Sequence, residues 1–348
     1  MNQQFWMKNK RKIVLILFFC FFICVSFMMG WLARDSKADG TALSTSLPLR
    51  LNGFTFTKPL LVCDTDHARE SSHLQPLRQD ISSLIAQAQK QHTIETASVY
   101  FRNLQTGEQF DINKDEKYFP ASLRKIPLMI ALLKSAEADP SILNSLEATI
   151  TGADLNGQQE IKPREYAKIG KTYTVEDLIE KMIRFSDNNA AAALNSIIGI
   201  ESLKKVFENL QIPFFVADTE VHASSDMDFI TAYEFSFFLR VLYNATYLNQ
   251  QFSEQALHLL SLGDFKEGLV AGVPPDTVVS HKFGLATFKN GEIVDERELH
   301  DCGIVYHPKG PYLLCIMTKS TAPVVDIENF IKGVSALVYQ SVNEVDKS

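Results

Sequence analysis

The sequence predicts an α+β fold in which one antiparallel sheet, built from both ends of the domain, is flanked by helices and interrupted by a mainly helical subdomain. β-rich runs lie near both ends of the region after residue 75, at residues 96–113 and 277–318. Between them, apolar side chains recur at helical spacing. Strands at both ends with helices between them indicate one sheet with a helical insertion.

The first element is an apolar segment at residues 13–33, IVLILFFCFFICVSFMMGWLA, which is long enough to cross a bilayer as one helix. The basic residues just before it are Lys8, Lys10, Arg11 and Lys12. Few positive charges follow, so residues 1–12 are predicted to be a cytoplasmic tail and the rest of the chain to lie outside the cytoplasm. A cleaved signal peptide ending at residues 36–38 is the alternative, but its apolar core would be unusually long.

Residues 34–75 are predicted to be a linker and residues 76–348 a single domain. Residues 1–39 carry six basic and two acidic side chains, so of the net charge of −7 the remaining chain carries −11. Binding to nucleic acid needs clustered Lys and Arg, which this acidic region lacks. Nucleic acid is therefore not an expected partner, and the sequence does not indicate an oligomeric state.

Three of the five cysteines, Cys63, Cys302 and Cys315, lie after the apolar segment. They permit at most one internal disulfide, and their spacing does not identify the pair. The sequence contains no glycine-rich phosphate loop and no His and Cys cluster at metal-ligand spacing. Neither a metal nor another cofactor is predicted.

The domain is predicted to begin with a helix over residues 77–91, followed by two strands joined at Thr106-Gly107. The predicted helices of the middle region are 122–137, 174–185, 187–198, 201–210, 231–244 and 253–262. Short strands follow at 277–284, 302–307 and 312–318, and the segment VDIENFIKGVSALVYQSV predicts a closing helix.

Ser122 and Lys125 form an S-x-x-K pattern at the predicted start of a helix. Residues three apart share a helical face, so the lysine amine can approach the serine hydroxyl. A serine needs such a base to become a nucleophile, and burial can lower the pKa of a lysine enough for it to serve. The pattern alone is weak, because Ser202 and Lys205 also fit it within an ordinary amphipathic helix.

Two further motifs strengthen the assignment: Ser186-Asp187-Asn188 between two predicted helices, and Lys282-Phe283-Gly284 in a predicted strand. Ser186 lies 64 residues and Lys282 160 residues after Ser122. S-x-x-K, S-D-N and K-T-G in this order are the signature of class A β-lactamases and penicillin-binding proteins. Order, spacing and structural placement together are hard to obtain by chance.

The region from about Ser98 to Ser320 therefore resembles a class A β-lactamase domain. The resemblance implies that Ser122 forms an acyl-enzyme, with Lys125 as the candidate base. Ser186 would pass a proton to the leaving nitrogen, and Lys282 would hold the substrate carboxylate. It also implies that Asn188 binds the acyl amide, and that the backbone N–H groups of Ser122 and Leu285, just after Gly284, form an oxyanion hole.

The sequence departs from the family pattern at two places. Phe283 stands where the family has a hydroxyl that binds the substrate carboxylate, and His281 is either a replacement donor or a strand residue that points away. The family's E-x-x-L-N motif, which carries the glutamate for deacylation, is also missing. Asp218 and Glu220 are the acidic residues nearest its place, and each is either a deacylation base or a solvated carboxylate.

The sequence thus predicts a class A β-lactamase-like serine hydrolase on the outer side of a bacterial cytoplasmic membrane. Its expected partners are a β-lactam or a D-Ala-D-Ala peptide, together with the membrane. Two alternatives remain open, a D,D-peptidase or penicillin-binding protein with slow deacylation, and a non-catalytic sensor of β-lactams or peptidoglycan. A Ser-Lys protease of unrelated fold explains only the first motif.

Overall fold

A five-stranded antiparallel sheet organises the chain in the computed structural model, which describes residues 50–60, 72–214 and 229–344. The strands are β1 (Thr96–Asn103), β2 (Gln109–Ile112), β5 (Val279–Asn290), β6 (Ile293–Val305) and β7 (Tyr312–Lys319). Their order across the sheet is β2-β1-β7-β6-β5, and every neighbouring pair is antiparallel. β1 therefore pairs with the last of the described strands, as the predicted fold class requires.

Nine α-helices lie in the described part of the chain. They are α1 (Gln75–Lys90), α2 (Lys125–Ala138), α3 (Ser141–Ser145), α4 (Val175–Arg184), α5 (Asn188–Ile198), α6 (Ile200–Leu210), α7 (Ala232–Tyr243), α8 (Gln250–Ser261) and α9 (Val324–Glu344). A small second sheet, β3 (Glu147–Thr149) with β4 (Thr172–Thr174), interrupts the helical region. The predicted α+β fold is confirmed, whereas this small sheet was not predicted.

The main sheet separates two apolar cores. One core joins α1 and α9 to one face of the sheet and includes Ile81, Ile331 and Phe283. The other fills the helical region around the largely buried helix α2 and reaches the opposite face of the sheet at Cys302 and Cys315. Because successive strand residues face opposite sides, the two cores fix the register of the strands.

No helix in the described ranges is long and apolar enough to span a bilayer, and the predicted anchor at residues 13–33 lies outside those ranges. Part of the predicted linker, residues 50–60, contacts the helical region. The carboxylate of Glu254 in α8 accepts hydrogen bonds from the backbone N–H groups of Thr55, Phe56 and Thr57. Arg50 donates to the side chain of Asn244 at 2.7 Å.

Cys302 and Cys315 form a disulfide between β6 and β7. The two residues are paired directly opposite each other, with a Cα–Cα distance of 3.9 Å, and both are fully buried. The bond lies on the same face as Lys282, which is paired with Cys302 on the adjacent strand.

Reduction of this disulfide is expected to lower the free energy of unfolding by roughly 2–4 kcal/mol, because the open form gains chain entropy in the unfolded state. The measurement is equilibrium denaturation with and without a reductant. Cys63→Ala should respond to the reductant like the unaltered protein, whereas Cys315→Ala should not respond. A loss of the response in Cys63→Ala would assign the disulfide to a different pair.

Candidate active site

Ser122 lies in a single 3₁₀ turn, Ala121–Arg124, which leads directly into α2. The sequence predicts one helix from residue 122, but the first turn is wound more tightly. In a 3₁₀ turn, residues i and i+3 eclipse each other, so Lys125 stands directly beside Ser122. Ala121 adopts a left-handed conformation with φ of +47°, which is strained for a residue with a side chain. The nucleophile therefore follows a strained residue.

The amine of Lys125 connects the first two motifs. Its Nζ lies 3.1 Å from the hydroxyl of Ser122 and 3.2 Å from the hydroxyl of Ser186. It also donates to the Ser186 carbonyl at 2.6 Å and to Oδ1 of Asn188 at 2.7 Å. Lys125 is almost completely buried, and these contacts are all to neutral oxygens.

The Ser186-Asp187-Asn188 motif forms the turn between α4 and α5. Ser186 has a positive φ of 59°, and the side chain of Asp187 caps α5 by accepting from the backbone of Asn189. Asp187 is fully buried and also accepts from the backbone of Ala167 and the amide of Asn156. These bonds hold Ser186 against the lysine amine.

Lys282 approaches Ser186 from β5. Its amine donates to the Ser186 hydroxyl and to the Phe283 carbonyl, both at 3.0 Å. Its Nζ also lies 4.2 Å from the centre of the Phe283 ring, whose face attracts a cation. Phe283 in turn stacks on Phe265 at 4.2 Å between ring centres. The ring thus occupies the place of a hydroxyl and contacts the lysine instead.

Both lysine amines lose affinity for their protons. Burial lowers the pKa of Lys125 well below its usual range, and the positive charges of Lys282 and Arg124 lower it further. Burial lowers the pKa of Lys282 to about 7, although the carboxylate of Asp301 opposes this shift. A neutral Lys125 amine can accept a proton from Ser122, which is the requirement for a general base.

Gly284 brings β5 against the turn that carries the nucleophile. A side-chain carbon at this position would lie 2.9 Å from the Pro120 carbonyl and 3.1 Å from the backbone nitrogen of Ser122. Only glycine permits this close approach. His281 points away from the site, since its Nδ1 pairs with the buried carboxylate of Asp301 at 2.8 Å. It is therefore not positioned as a replacement donor.

Two side chains that the motifs do not include hold the backbone of Phe119, three residues before the nucleophile. The buried carboxylate of Glu298 accepts from the Phe119 N–H at 2.7 Å. Nε2 of His300 lies 2.9 Å from the Phe119 carbonyl and acts as the donor, because its Nδ1 accepts from the backbone of Thr318. We call Glu298 and His300 the Phe119 clamp.

Next to the clamp, burial and the charge of Glu298 raise the pKa of Glu296 to about 7.

An open cleft of about 620 Å³ gives access to Ser122. One wall is the strand segment from Phe283 through Leu285 to Thr287, and the other contains Asn188 and the loop at residues 155–161. Ser122 lines this cleft together with Asn188, Phe283 and Leu285. The buried side chains of Lys125, Ser186 and Lys282 meet beside Ser122, and Gly284 lies between Phe283 and Leu285 on the strand. The candidate deacylation bases, Asp218 and Glu220, lie outside the described residues.

Residues 76–342 match a family described as the beta-lactamase enzyme family. The chain belongs to this family. No curated protein sequence matches the chain.

Solved structures with the same fold include penicillin-binding and β-lactamase proteins. PBP-A is 23% identical, with a TM-score of 0.63, covering 78% of this chain and 97% of its own. A class A β-lactamase from Bacteroides cellulosilyticus is 22% identical, with a TM-score of 0.64, covering 79% and 99%. A class A β-lactamase from Mycobacterium abscessus is 19% identical, with a TM-score of 0.63, covering 77% and 99%. A variant of PBP-A has been solved as an acyl-enzyme complex with penicillin G.

The beta-lactamase family fold explains why the three motifs meet, since the motifs lie on α2, the α4–α5 turn and β5. The Phe119 clamp was missed from the sequence because the residues it joins are about 180 positions apart. No local pattern marks these residues, because ERELHD contains one apolar side chain and no strand-like alternation.

Replacing Glu298 by Ala is expected to slow the reaction of Ser122 about tenfold, because the buried N–H of Phe119 loses its acceptor, at a cost of about 1–3 kcal/mol, and the strained turn relaxes. Glu298→Gln keeps an acceptor oxygen and should restore most of the rate. The measurement is the labelling rate of Ser122 by a fluorophosphonate probe. Glu116→Gln, which alters the partly buried ion pair with Lys319, is the matched control. A labelling rate in Glu298→Ala equal to that of the control would show that the clamp supports only stability.

Proposed function

We propose that this protein is a serine hydrolase that forms an acyl-enzyme through Ser122 with β-lactams or with related cell-wall peptides. The observation that carries the proposal is the buried Lys125 amine, which lies within hydrogen-bond distance of both Ser122 and Ser186. Such an arrangement joins the nucleophile to the group that would protonate the leaving nitrogen.

In the acylation step, neutral Lys125 takes the proton of the Ser122 hydroxyl while its oxygen attacks the substrate carbonyl carbon. The negative charge that develops on the carbonyl oxygen is stabilised by the backbone N–H groups of Ser122 and Leu285. The C–N bond then breaks, and Ser186 donates a proton to the leaving nitrogen. Lys125 returns a proton to Ser186, since its amine contacts both hydroxyls.

Lys282 orients the substrate by attracting the substrate's carboxylate. Phe283 supplies no hydroxyl that could bind this carboxylate. Recognition of the carboxylate therefore depends more on the charge of Lys282 than it does in the family pattern. The contact between the Lys282 amine and the Phe283 ring favours the charged form of the amine. Asn188 holds Lys125 and offers its amide to the acyl side chain of the substrate.

The alternative is a D,D-peptidase or penicillin-binding protein whose acyl-enzyme persists. The absence of an E-x-x-L-N motif favours this alternative, because that motif carries the glutamate that activates the deacylating water in class A enzymes. A third function, a sensor of β-lactams or peptidoglycan, is favoured by the same absence and by Phe283. Asp218 and Glu220 are the candidate bases if the acyl group is released quickly.

The site is proposed to work outside the cytoplasm, at a bacterial cytoplasmic membrane. The apolar segment at residues 13–33 and the basic residues before it support this location. A disulfide in the buried sheet is also typical of an oxidising compartment.

Incubation of the full-length protein with benzylpenicillin is expected to add the mass of the penicillin to Ser122, because the activated hydroxyl opens the lactam without losing a fragment. Time-resolved intact mass spectrometry measures this adduct, and Ser122→Ala is expected to form none. Decay with repeated turnover would identify a β-lactamase, and a persistent adduct the penicillin-binding alternative. A protein without any adduct would contradict both and leave the sensor that does not acylate.

The second-order rate constant of acylation is expected to fall as the pH rises through about 7. Lys282 has a pKa lowered to about 7, so it is protonated and attracts the substrate carboxylate below this pH and is neutral above it. The pH–rate profile with benzylpenicillin measures the effect. Lys282→Arg keeps its charge, so its slower reaction should show no fall between pH 6 and pH 9. A flat profile for the unaltered protein would exclude this role of Lys282.

A further inference from the structure

Glu160 crosses the substrate cleft. It belongs to the loop that forms one wall, yet its Oε2 accepts a hydrogen bond of 2.8 Å from the hydroxyl of Thr287 on the opposite wall. Arg297, on the neighbouring strand β6, donates to both carboxylate oxygens of Glu160, at 3.3 Å and 3.1 Å. We call these three side chains the cleft latch.

Further hydrogen bonds hold the residues at both ends of the cleft latch. Arg297 also donates to the carbonyls of Thr321 and Ala322, which hold its guanidinium toward Glu160. On the other wall, Gln159 donates to the side chain of Asn156, and Asn156 is bonded to the backbone of Asn188. The latch therefore links the loop beside the Ser186 turn to the β5–β6 hairpin.

The charges in the latch favour its closed state, in which Glu160 is bonded to Thr287 and Arg297 across the cleft. The hydrogen bonds from Arg297 and Thr287 outweigh the effect of burial and lower the pKa of Glu160, so its carboxylate is ionised at neutral pH. Beside it, Ile161 packs against the apolar cluster that contains Phe283. Among the described residues that line the cleft, Glu160 is the one acidic side chain.

The position of the latch indicates which part of a substrate would meet it. In the proposed acylation, the substrate carboxylate lies at Lys282 and the reacting carbonyl at Leu285. Thr287 is two residues further along the strand, about 7 Å beyond Leu285. The acyl substituent therefore extends toward Glu160.

We propose that the cleft latch is a specificity filter that admits compact acyl groups and must open for bulky ones. This inference rests on the proposed acylation of Ser122. An exposed ion pair with one extra hydrogen bond is weak enough to open and close, so it changes the rate for bulky substrates by about fivefold and does not block them.

The test compares two β-lactams that differ only in the acyl part, 6-aminopenicillanic acid, which has no acyl substituent, and piperacillin, which has a bulky one. Acylation rates are measured by intact mass spectrometry of the full-length protein. Glu160→Gln and Thr287→Val remove a charge and a hydroxyl but preserve side-chain size, so a faster reaction cannot come from added space. Glu201→Gln, which alters an exposed ion pair with Lys204 on α6, is the matched control.

Both latch variants are expected to react about fivefold faster with piperacillin and at an unchanged rate with 6-aminopenicillanic acid. Because Glu160 is 39% exposed, added salt should screen the ion pair and raise the rate with piperacillin relative to that with 6-aminopenicillanic acid in the unaltered protein, but not in Glu160→Gln.

If the latch variants changed the acylation rates of the two compounds equally, or changed neither rate, the filter would be overturned. An adduct with 6-aminopenicillanic acid would still uphold the proposed function. Slower release of the acyl group in Glu160→Gln, with unchanged acylation, would instead make Glu160 a deacylation base and also overturn the filter. No adduct with either compound would overturn the proposed function and the filter together.

Discussion

Two lysine amines buried side by side impose the main constraint on this structure. Lys125 and Lys282 both reach the hydroxyl of Ser186, and both are at most 3% exposed. Burying a charged amine costs free energy unless it is paired, and no carboxylate contacts either amine within the described residues. The site compensates with neutral oxygens, with the Phe283 ring and with a reduced affinity for protons. As a result, the Lys125 amine is available as a base, and the Lys282 amine is a cation that loses its proton easily.

This constraint explains why three separate parts of the fold are fixed so firmly around the amines. Each part contains a conformation that is unfavourable in isolation: the left-handed backbone at Ala121 and Ser186, and the close approach of Gly284 to the turn. Each is held by buried groups, namely the Phe119 clamp, the carboxylate of Asp187 and the register of β5. Stability in the surroundings therefore maintains the strain at the site.

The sequence predicted those features that depend on local patterns. The helices follow apolar spacing, and Ser122, Ser186 and Lys282 stand in short motifs with a recognisable order. Contacts made by strand register could not be predicted in this way. Cys302 and Cys315 pair because β6 and β7 align them, and Glu298 reaches Phe119 because the β5–β6 hairpin extends over the turn. The middle of β6, DERELHD, is so rich in charge that it does not have the pattern of a strand. Its residues Glu298 and His300 nevertheless build the clamp, and Arg297 holds the latch.

The pairing of β1 with β7 has a consequence for how the protein folds. Thr96 is paired with Lys319, 223 residues later, so a central contact of the sheet joins distant parts of the chain. The entropy of closing such a long loop is lost before the contacts between the strands contribute any stabilising free energy, and this slows folding. During synthesis, the ribosome must release the chain as far as Lys319 before β1 can pair along its full length with β7. Until then, the apolar edge of β1 is exposed, and we expect a partly synthesised chain to require protection from aggregation.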